Sequence, residues 1–416
     1  MPKPRWWLAA PLLMLGALLP GTGLATHARL PAVPAIRHVF IVVLENEAYD
    51  SSFGPASPAP YLKSLRALGA AVPNYYGTSH MSLGNYLTLI SGQAPNPATN
   101  LDCGTFADFV GSGATPDGQA IGKGCVYPPG IQTVANQLQG AGLRWKAYME
   151  DMGNKPERES LTCAHPPIGA PDNTEAATVG DQYATRHNPF VYFHAIIDTQ
   201  SCRQQVVNLK ELATDLRTVA TTPNYAFITP NLCHDGHDGG GSERCVDGQP
   251  GGLVSADDFL RRLLPQIMAS PAYRRDGLII ITFDESAIAD NHDNANEAVS
   301  MANGAAAACC DEQSGPNIAP YRVDPAPAAQ GMNGPGLVGP GGGRIGAVML
   351  SPFIRPGTVS RHAYNHYSLL RSVEDIFGLG HLGFAGQPGL RGFGADIYTW
   401  ASGAGATGNG KGSATP

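Results

Sequence analysis

Apolar residues in this chain fall into short continuous runs separated by segments of helical period. The runs at 38–44, 143–149, 224–229, 277–283 and 344–350 are strand-like, and HVFIVVL at 38–44 is apolar except at its start. Helical patterns lie between them, at 59–69, 83–91, 131–141, 205–220, 255–269 and 366–377. Of these, VVNLKELATDLRTVAT has apolar residues three and four apart and is the clearest amphipathic helix by period. Alternation of buried-type strands with helices predicts an α/β fold, a mainly parallel central sheet with helices on both faces. Residues 93–130 and 286–342 are loop-like, rich in Gly and Pro. Glycines 341–343 do not form a phosphate-cradling motif, because no helix-forming segment and no Gly-Lys-Ser/Thr follow.

Length and composition narrow the picture. The chain has 416 residues, 43% of them hydrophobic, enough for one large domain over 29–400. A net charge of −7 argues against a general nucleic-acid-binding surface. Lys3 and Arg5 precede an apolar run at 6–19, followed by Gly21, Gly23 and Ala25. This is the pattern of a secretory signal peptide over 1–25, with cleavage expected after Ala25 or Ala28; the plainer reading is an uncleaved membrane anchor, for which the apolar run is short. The signal-peptide pattern predicts a secreted or periplasmic protein with no stable membrane insertion after cleavage. Residues 401–416 read as a flexible Gly/Ala-rich tail. Eight cysteines suit an exported protein. Local pairing joins Cys103 to Cys125, Cys163 to Cys202 and Cys233 to Cys245, and leaves Cys309 and Cys310 unassigned.

Candidate chemistry sits where the runs end. Glu45-Asn46 follows the first strand and Asp284-Glu285 follows GLIIITF. In an open α/β sheet, ligands bind in the crevice beyond the strand C-termini. Two oxygen-bearing pairs there are suited to hold one hard divalent cation. Ser82 opens a helical pattern, where unpaired N–H groups and the helix dipole favour an anion and an activated hydroxyl. Asn85 lies on the same side of the first turn, placed to donate to a phosphoryl oxygen; the plainer reading of Ser82 is a helix cap. In ITPNLCHDGHD, His234 and His237 can donate to phosphate, ligate a metal or transfer protons, with Asp235 and Asp238 to orient them. The plainer reading is a polar, disulfide-tied loop. His366 and His80 each have a functional and a purely structural reading, and His187 is read as structural.

Together VVLENEAYD, SHMSLGNYLTLISG, ITPNLCHDGHD, ITFDES and YNHYSLLRSVEDIFGL resemble the phosphoesterase family of acid phosphatases and bacterial phospholipases C, within the wider alkaline-phosphatase-like superfamily. The resemblance implies that Glu45, Asn46, Asp284 and Glu285 hold one divalent cation and that Ser82 is the nucleophile of a phosphoserine mechanism. Asn85, His234, His237 and His366 are then expected to serve the phosphate or the leaving group. SAIADNHDN after the FDE triplet departs from the longer phospholipases and leaves His292 without an assigned role. The expectation is a secreted acid phosphatase acting on small phosphorylated substrates, with phospholipid headgroups as further candidates. Its rivals are a phospholipase C-type phosphodiesterase, a phosphoinositide phosphatase, and an inactive binding protein that keeps the fold.

Overall fold

The computed structural model describes residues 1–2, 33–240, 243–287, 307–318 and 339–399. The signal-peptide expectation, His292 and the C-terminal tail fall largely or wholly outside these residues. The chain divides into Met1–Ala32 and Val33–Pro416, and every element below belongs to the second unit.

Eight strands form the central sheet. They are β1 (His38–Leu44), β2 (Ala70–Val72), β3 (Trp145–Met149), β4 (Val206–Asn208), β5 (Tyr225–Thr229), β6 (Gly277–Phe283), β7 (Ala347–Leu350) and β8 (Thr358–Val359). Their order across the sheet is β8-β2-β7-β6-β1-β5-β3-β4. All neighbours are parallel except β7, which is antiparallel to both β2 and β6. Every residue of β1 and of β6 is buried, so both faces of the sheet are covered there. This explains why these strands read as continuous apolar runs rather than as alternating ones. The α/β expectation holds, with a mainly parallel sheet.

The principal helices are α1 (Ser82–Ser91), α2 (Val134–Gly140), α3 (Gly252–Ala269) and α4 (His366–Phe377). Helix α2 begins with a capping box, in which Thr133 and Asn136 exchange hydrogen bonds. Helices α1 and α4 end at Gly92 and Gly378, both left-handed, as expected of glycine at a helix C-terminus. Helix α4 packs against α1 and so supports the helix that carries Ser82.

The amphipathic segment 205–220 is not one helix. It opens as edge strand β4, passes through a 3-10 turn (Leu209–Glu211) and gives only a short helix, Leu212–Asp215. The β-branched pair Val206-Val207 registers against Ala147 and Tyr148 of β3. Val206 also accepts a hydrogen bond from Cys163 N, whose side chain is bridged to Cys202. Sheet pairing and a disulfide here override the helical period. The loop-like stretch 93–130 likewise contains a small hairpin, Val110–Ala114 with Ala120–Lys123. The three expected disulfides are all present, and Cys309 is joined to Cys310.

Helix α4 carries a buried carboxyl, Glu374, whose Oε1 accepts the Leu382 N–H at 2.9 Å. Burial pushes its pKa up to about 8 from an ordinary 4.5. A carboxyl whose folded pKa is raised contributes stability that is full below the unfolded value and is lost as pH rises through the folded one. Ionising Glu374 therefore costs stability between about pH 4.5 and 8. Glu374→Gln, which keeps the acceptor and cannot ionise, is expected to melt higher than the wild type at neutral pH, by on the order of 2 kcal/mol. Thermal melts across this pH range check it; identical pH slopes in the two proteins would remove Glu374 as the cause.

Candidate active site

The sheet register builds the site. Leu44 of β1 pairs with Phe283 of β6, so the next residues along each strand, Glu45 and Asp284, leave the sheet side by side. Asp284 N donates to Leu44 O and Glu47 N to Glu285 O, continuing the ladder past the strand ends. Asn46 adopts a left-handed backbone, φ +36°, and donates its N–H to Asp284 Oδ1 at 2.9 Å. Its side-chain oxygen lies 3.2 Å from both Asp284 Oδ1 and Glu285 Oε1, with no donor between them. Turning the amide over would give two hydrogen bonds. As placed, the three oxygens form the kind of convergent donor set that a hard cation takes. In chemical type, an amide and carboxylates at adjoining strand ends are what a hard cation takes. Cys233, Cys245 and Asp247 also converge, but the two cysteines are a disulfide and offer no thiolate.

Close backbone contacts leave little freedom around this set. A Cβ on Gly77 would lie 2.8 Å from Asp284 O and 2.9 Å from Gly342 O. Gly342 N donates to Gly77 O, and Ser286 N donates to Gly342 O. The glycine-rich segment at 341–343 thus braces the site through its backbone.

Ser82 is the first residue of α1, not its cap. The cap position is Met81, in extended conformation, and the Leu83 N–H is taken by Asp102 Oδ1 at 2.8 Å. The Ser82 hydroxyl is thereby free of capping and donates to Glu45 Oε2 at 2.8 Å. One turn along the same helix face, Tyr86 OH donates to Glu45 Oε1 at 2.5 Å. His187 stacks on Tyr86 with ring centroids 5.3 Å apart, its Nε2 3.4 Å from Glu45 Oε1.

Negative charge is crowded here. Burial, then the charges of Asp284 and Asp235, hold the Glu45 carboxyl well above its usual range, against the Tyr86 and Ser82 hydrogen bonds. Burial and Asp238 do the same for Asp235. Burial also raises Asp284. Such a cluster calls for cations.

The sequence-derived residues divide into two groups. Glu45, Asn46, Ser82, Asp284 and Glu285 come together, and Glu285 pairs with buried His80. His237 stands at the cluster's edge, 3.4 Å from Asp238 and near enough to Asp102 and His187 for its charge to act on both. The other three are committed elsewhere. Asn85 is not turned toward a phosphate. Its oxygen accepts from Thr78 N and Ser79 N, and its amide donates to Ser79 O and Met81 O, so it shapes the turn before Ser82. His234 is engaged at Nδ1 by Glu150 and at Nε2 by Gln249. Burial opposes its charge, but the Glu150 hydrogen bond and charge outweigh that and raise its pKa. His366 is buried between Tyr75 OH and the main-chain oxygen of Asp284, and burial lowers its pKa to about 4. It is a neutral strut behind Asp284.

Sequence reasoning missed Tyr86, Asp102 and Arg186. Tyr86 stands four residues after Ser82, a helical spacing that gave a signal. Arg186, within Coulomb range of Asp102, Glu45, Asp238 and Asp235, gave none. A separate cavity of about 720 Å³ opens beside Ser91 and Gln93, toward the far end of α1, and none of the strand-end residues lines it.

Comparison with known proteins places this site in a family. Residues 56–380 match the Phosphoesterase family, and the chain belongs to it. Among similar proteins is a probable acid phosphatase of Kluyveromyces lactis, 25% identical over 61% of this chain and 48% of the relative. A phosphate-repressible acid phosphatase of Penicillium chrysogenum is 24% identical over 57% of this chain and 46% of the relative. The chain thus spans about half the length of these acid phosphatases. A phosphatidylinositol-3-phosphatase of Mycobacterium tuberculosis is 25% identical over 91% of this chain and 88% of the relative. Among solved structures, an alkaline phosphatase superfamily protein of Vibrio parahaemolyticus aligns with a TM-score of 0.45 and 12% identity. That alignment covers 84% of this chain and 69% of the other.

The geometry makes a prediction for Ser82→Ala. The hydroxyl does not cap the helix, so its loss removes one hydrogen bond to Glu45 and costs about 1–2 kcal/mol of stability. Phosphoester turnover should fall by at least about a thousandfold if Ser82 is the nucleophile. A folded variant with near-normal turnover would rule Ser82 out.

Proposed function

We propose that this protein is a metal-dependent phosphomonoesterase of the acid phosphatase type that works through a phosphoserine at Ser82. The observation that carries the reading is the Ser82 hydroxyl held on Glu45 Oε2, beside the oxygen set of Asn46, Asp284 and Glu285. Those four strand-end residues would hold one divalent cation, which when bound offsets their charge and favours the ionised serine oxygen. Glu45 fixes the serine oxygen, and Tyr86 fixes Glu45. The Ser82 hydroxyl proton passes to Glu45 Oε2, the serine oxygen attacks phosphorus in line, and the P–O bond to the leaving group breaks. Protonated His237, partly exposed at the edge of the cluster, supplies the proton to the departing ester oxygen. Water then cleaves the phosphoserine, releasing phosphate and restoring the hydroxyl.

A phosphoinositide phosphatase is the second reading. It is favoured by one observation: the phosphatidylinositol-3-phosphatase relative matches over nearly the full length of both chains, whereas the acid phosphatases do not. It keeps the same monoester chemistry and changes only the leaving alcohol. Export to an oxidising compartment is part of the proposal, supported by the four disulfides. No helix among the described residues is long and apolar enough to cross a membrane.

Chelation of the purified protein should abolish hydrolysis of p-nitrophenyl phosphate, and re-addition of a divalent cation should restore it. Asp284→Asn should lower bound metal and activity together; metal analysis of active enzyme that finds no stoichiometric ion would end the mechanism. The wild type should also favour p-nitrophenyl phosphate over p-nitrophenyl phosphorylcholine in kcat/KM, and the reverse preference would favour the phospholipase C reading. Phosphatidylinositol 3-phosphate in vesicles, compared with the soluble monoester, separates the two monoesterase readings.

A further inference from the structure

The monoesterase reading leaves one cation unexplained. Arg186 lies on the turn Thr185–His187, which packs against α1. Its backbone is fixed from both sides. Buried Thr185 donates its N–H to Thr174 Oγ1 at 2.8 Å. Buried His187 is stacked on Tyr86, the residue that shares Glu45 with Ser82. The Arg186 backbone is therefore tied, through His187 and Tyr86, to the acceptor of the nucleophile's own hydrogen bond.

Its electrostatic surroundings are lopsided. Asp102, Glu45, Asp238 and Asp235 all lie within Coulomb range. Among the described residues, none of these carboxylates forms an ion pair with Arg186 within 4.0 Å. The one hydrogen bond recorded for its side chain runs from Nη1 to the main-chain oxygen of Glu175, at 3.1 Å. A guanidinium has five N–H donors in a planar fork. One is used to anchor it, and the others have no carboxylate to bind. A structural counter-charge would close on one of its four acidic neighbours. An arginine without such an ion pair among the described residues, on the turn that packs against the helix of the candidate nucleophile, is placed for an incoming anion.

We propose that Arg186 is a substrate-binding residue that selects phosphate monoesters over diesters, an inference that rests on the monoesterase reading above. A guanidinium fork engages two oxygens of one phosphate at once. A monoester has three non-bridging oxygens, so it fills the fork and keeps one to spare. A diester has two, and its second alkoxy group takes the place of the third. The fork also gathers negative charge into a site whose carboxylates would otherwise repel it.

The test uses the full-length, metal-loaded protein with Arg186→Met and Arg186→Lys. Initial rates are measured on p-nitrophenyl phosphate and on bis(p-nitrophenyl) phosphate, with inorganic phosphate as competitive inhibitor. Arg186→Met should lower monoester kcat/KM by about 10- to 150-fold, the loss expected for hydrogen bonds to a charged group. Diester kcat/KM should change by less than about threefold, and the inhibition constant of phosphate should rise with the monoester loss. Arg186→Lys should recover only part, since a point charge cannot reproduce the fork. Parallel losses on both esters with an unchanged phosphate inhibition constant would overturn the proposal and leave Arg186 a positioning residue. Unchanged rates on both would overturn it outright. Circular dichroism and thermal melts establish folding, and if the Met variant does not fold, the same ratio in Arg186→Lys decides. A wild type that prefers the diester sinks the monoesterase reading and this proposal together. A wild type that prefers the monoester, with parallel losses in the variants, sinks only this proposal.

Discussion

Carboxylates buried beside one another repel, and the structure depends on how that repulsion is arranged. Glu45, Asp284 and Glu285 are each at most 3% exposed and lie at the ends of two adjacent strands. In an apolar interior, an isolated charge of this kind is costly, and it persists only when paired, ligated or protonated. The register that joins Leu44 to Phe283 makes the crowding unavoidable. A one-residue slip would turn every side chain of β1 to the other face and carry Glu45 away from Asp284, so the strand register also sets the charge cluster. Every neighbouring feature accommodates this arrangement. Tyr86 and Ser82 donate into Glu45, the Asn46 backbone N–H donates to Asp284, and the glycines at 77 and 342 let backbone approach within contact distance.

What is legible in the sequence follows from local physics. Strands buried on both faces are continuous apolar runs, and β1, β5 and β6 stand where those runs lie. Acidic pairs directly after such strands are legible because strand ends in a parallel sheet converge. The segment 205–220 departs from its helical period because that period competes with the pairing of Val206-Val207 on β3. Helix propensity is a weak prior against a tertiary contact. Asn85 departs from expectation for a related reason. Its place on the first turn of α1 is as expected, but the preceding turn has N–H groups to satisfy, and the side-chain oxygen is taken by Thr78 and Ser79. Arg186 lies about a hundred residues from Ser82 in sequence and joins it only through the Tyr86–His187 stack, which no spacing rule reports.

The histidines show how burial assigns roles that residue type leaves open. His187 and His366 are both buried, and in each case burial is the first cause of a lowered pKa. His187 stacks on Tyr86, and His366 bonds the main-chain oxygen of Asp284. His234 is held in its own ion pair with Glu150, stacked on Phe259 of α3. His237, on the same disulfide-tied loop, remains partly exposed beside Asp238. A proton donor to a leaving group must meet solvent between turnovers to be recharged, and it must lie near the nucleophile when it acts. Of these four residues, His237 is the most exposed, which is why the proposed mechanism gives it this role. The loop that carries it starts from β5, the neighbour of β1 opposite β6. An in-line displacement needs its entering and departing groups on opposite sides of phosphorus. In the proposed mechanism the entering group is the Ser82 oxygen, so an acid for the departing oxygen has to stand across phosphorus from α1.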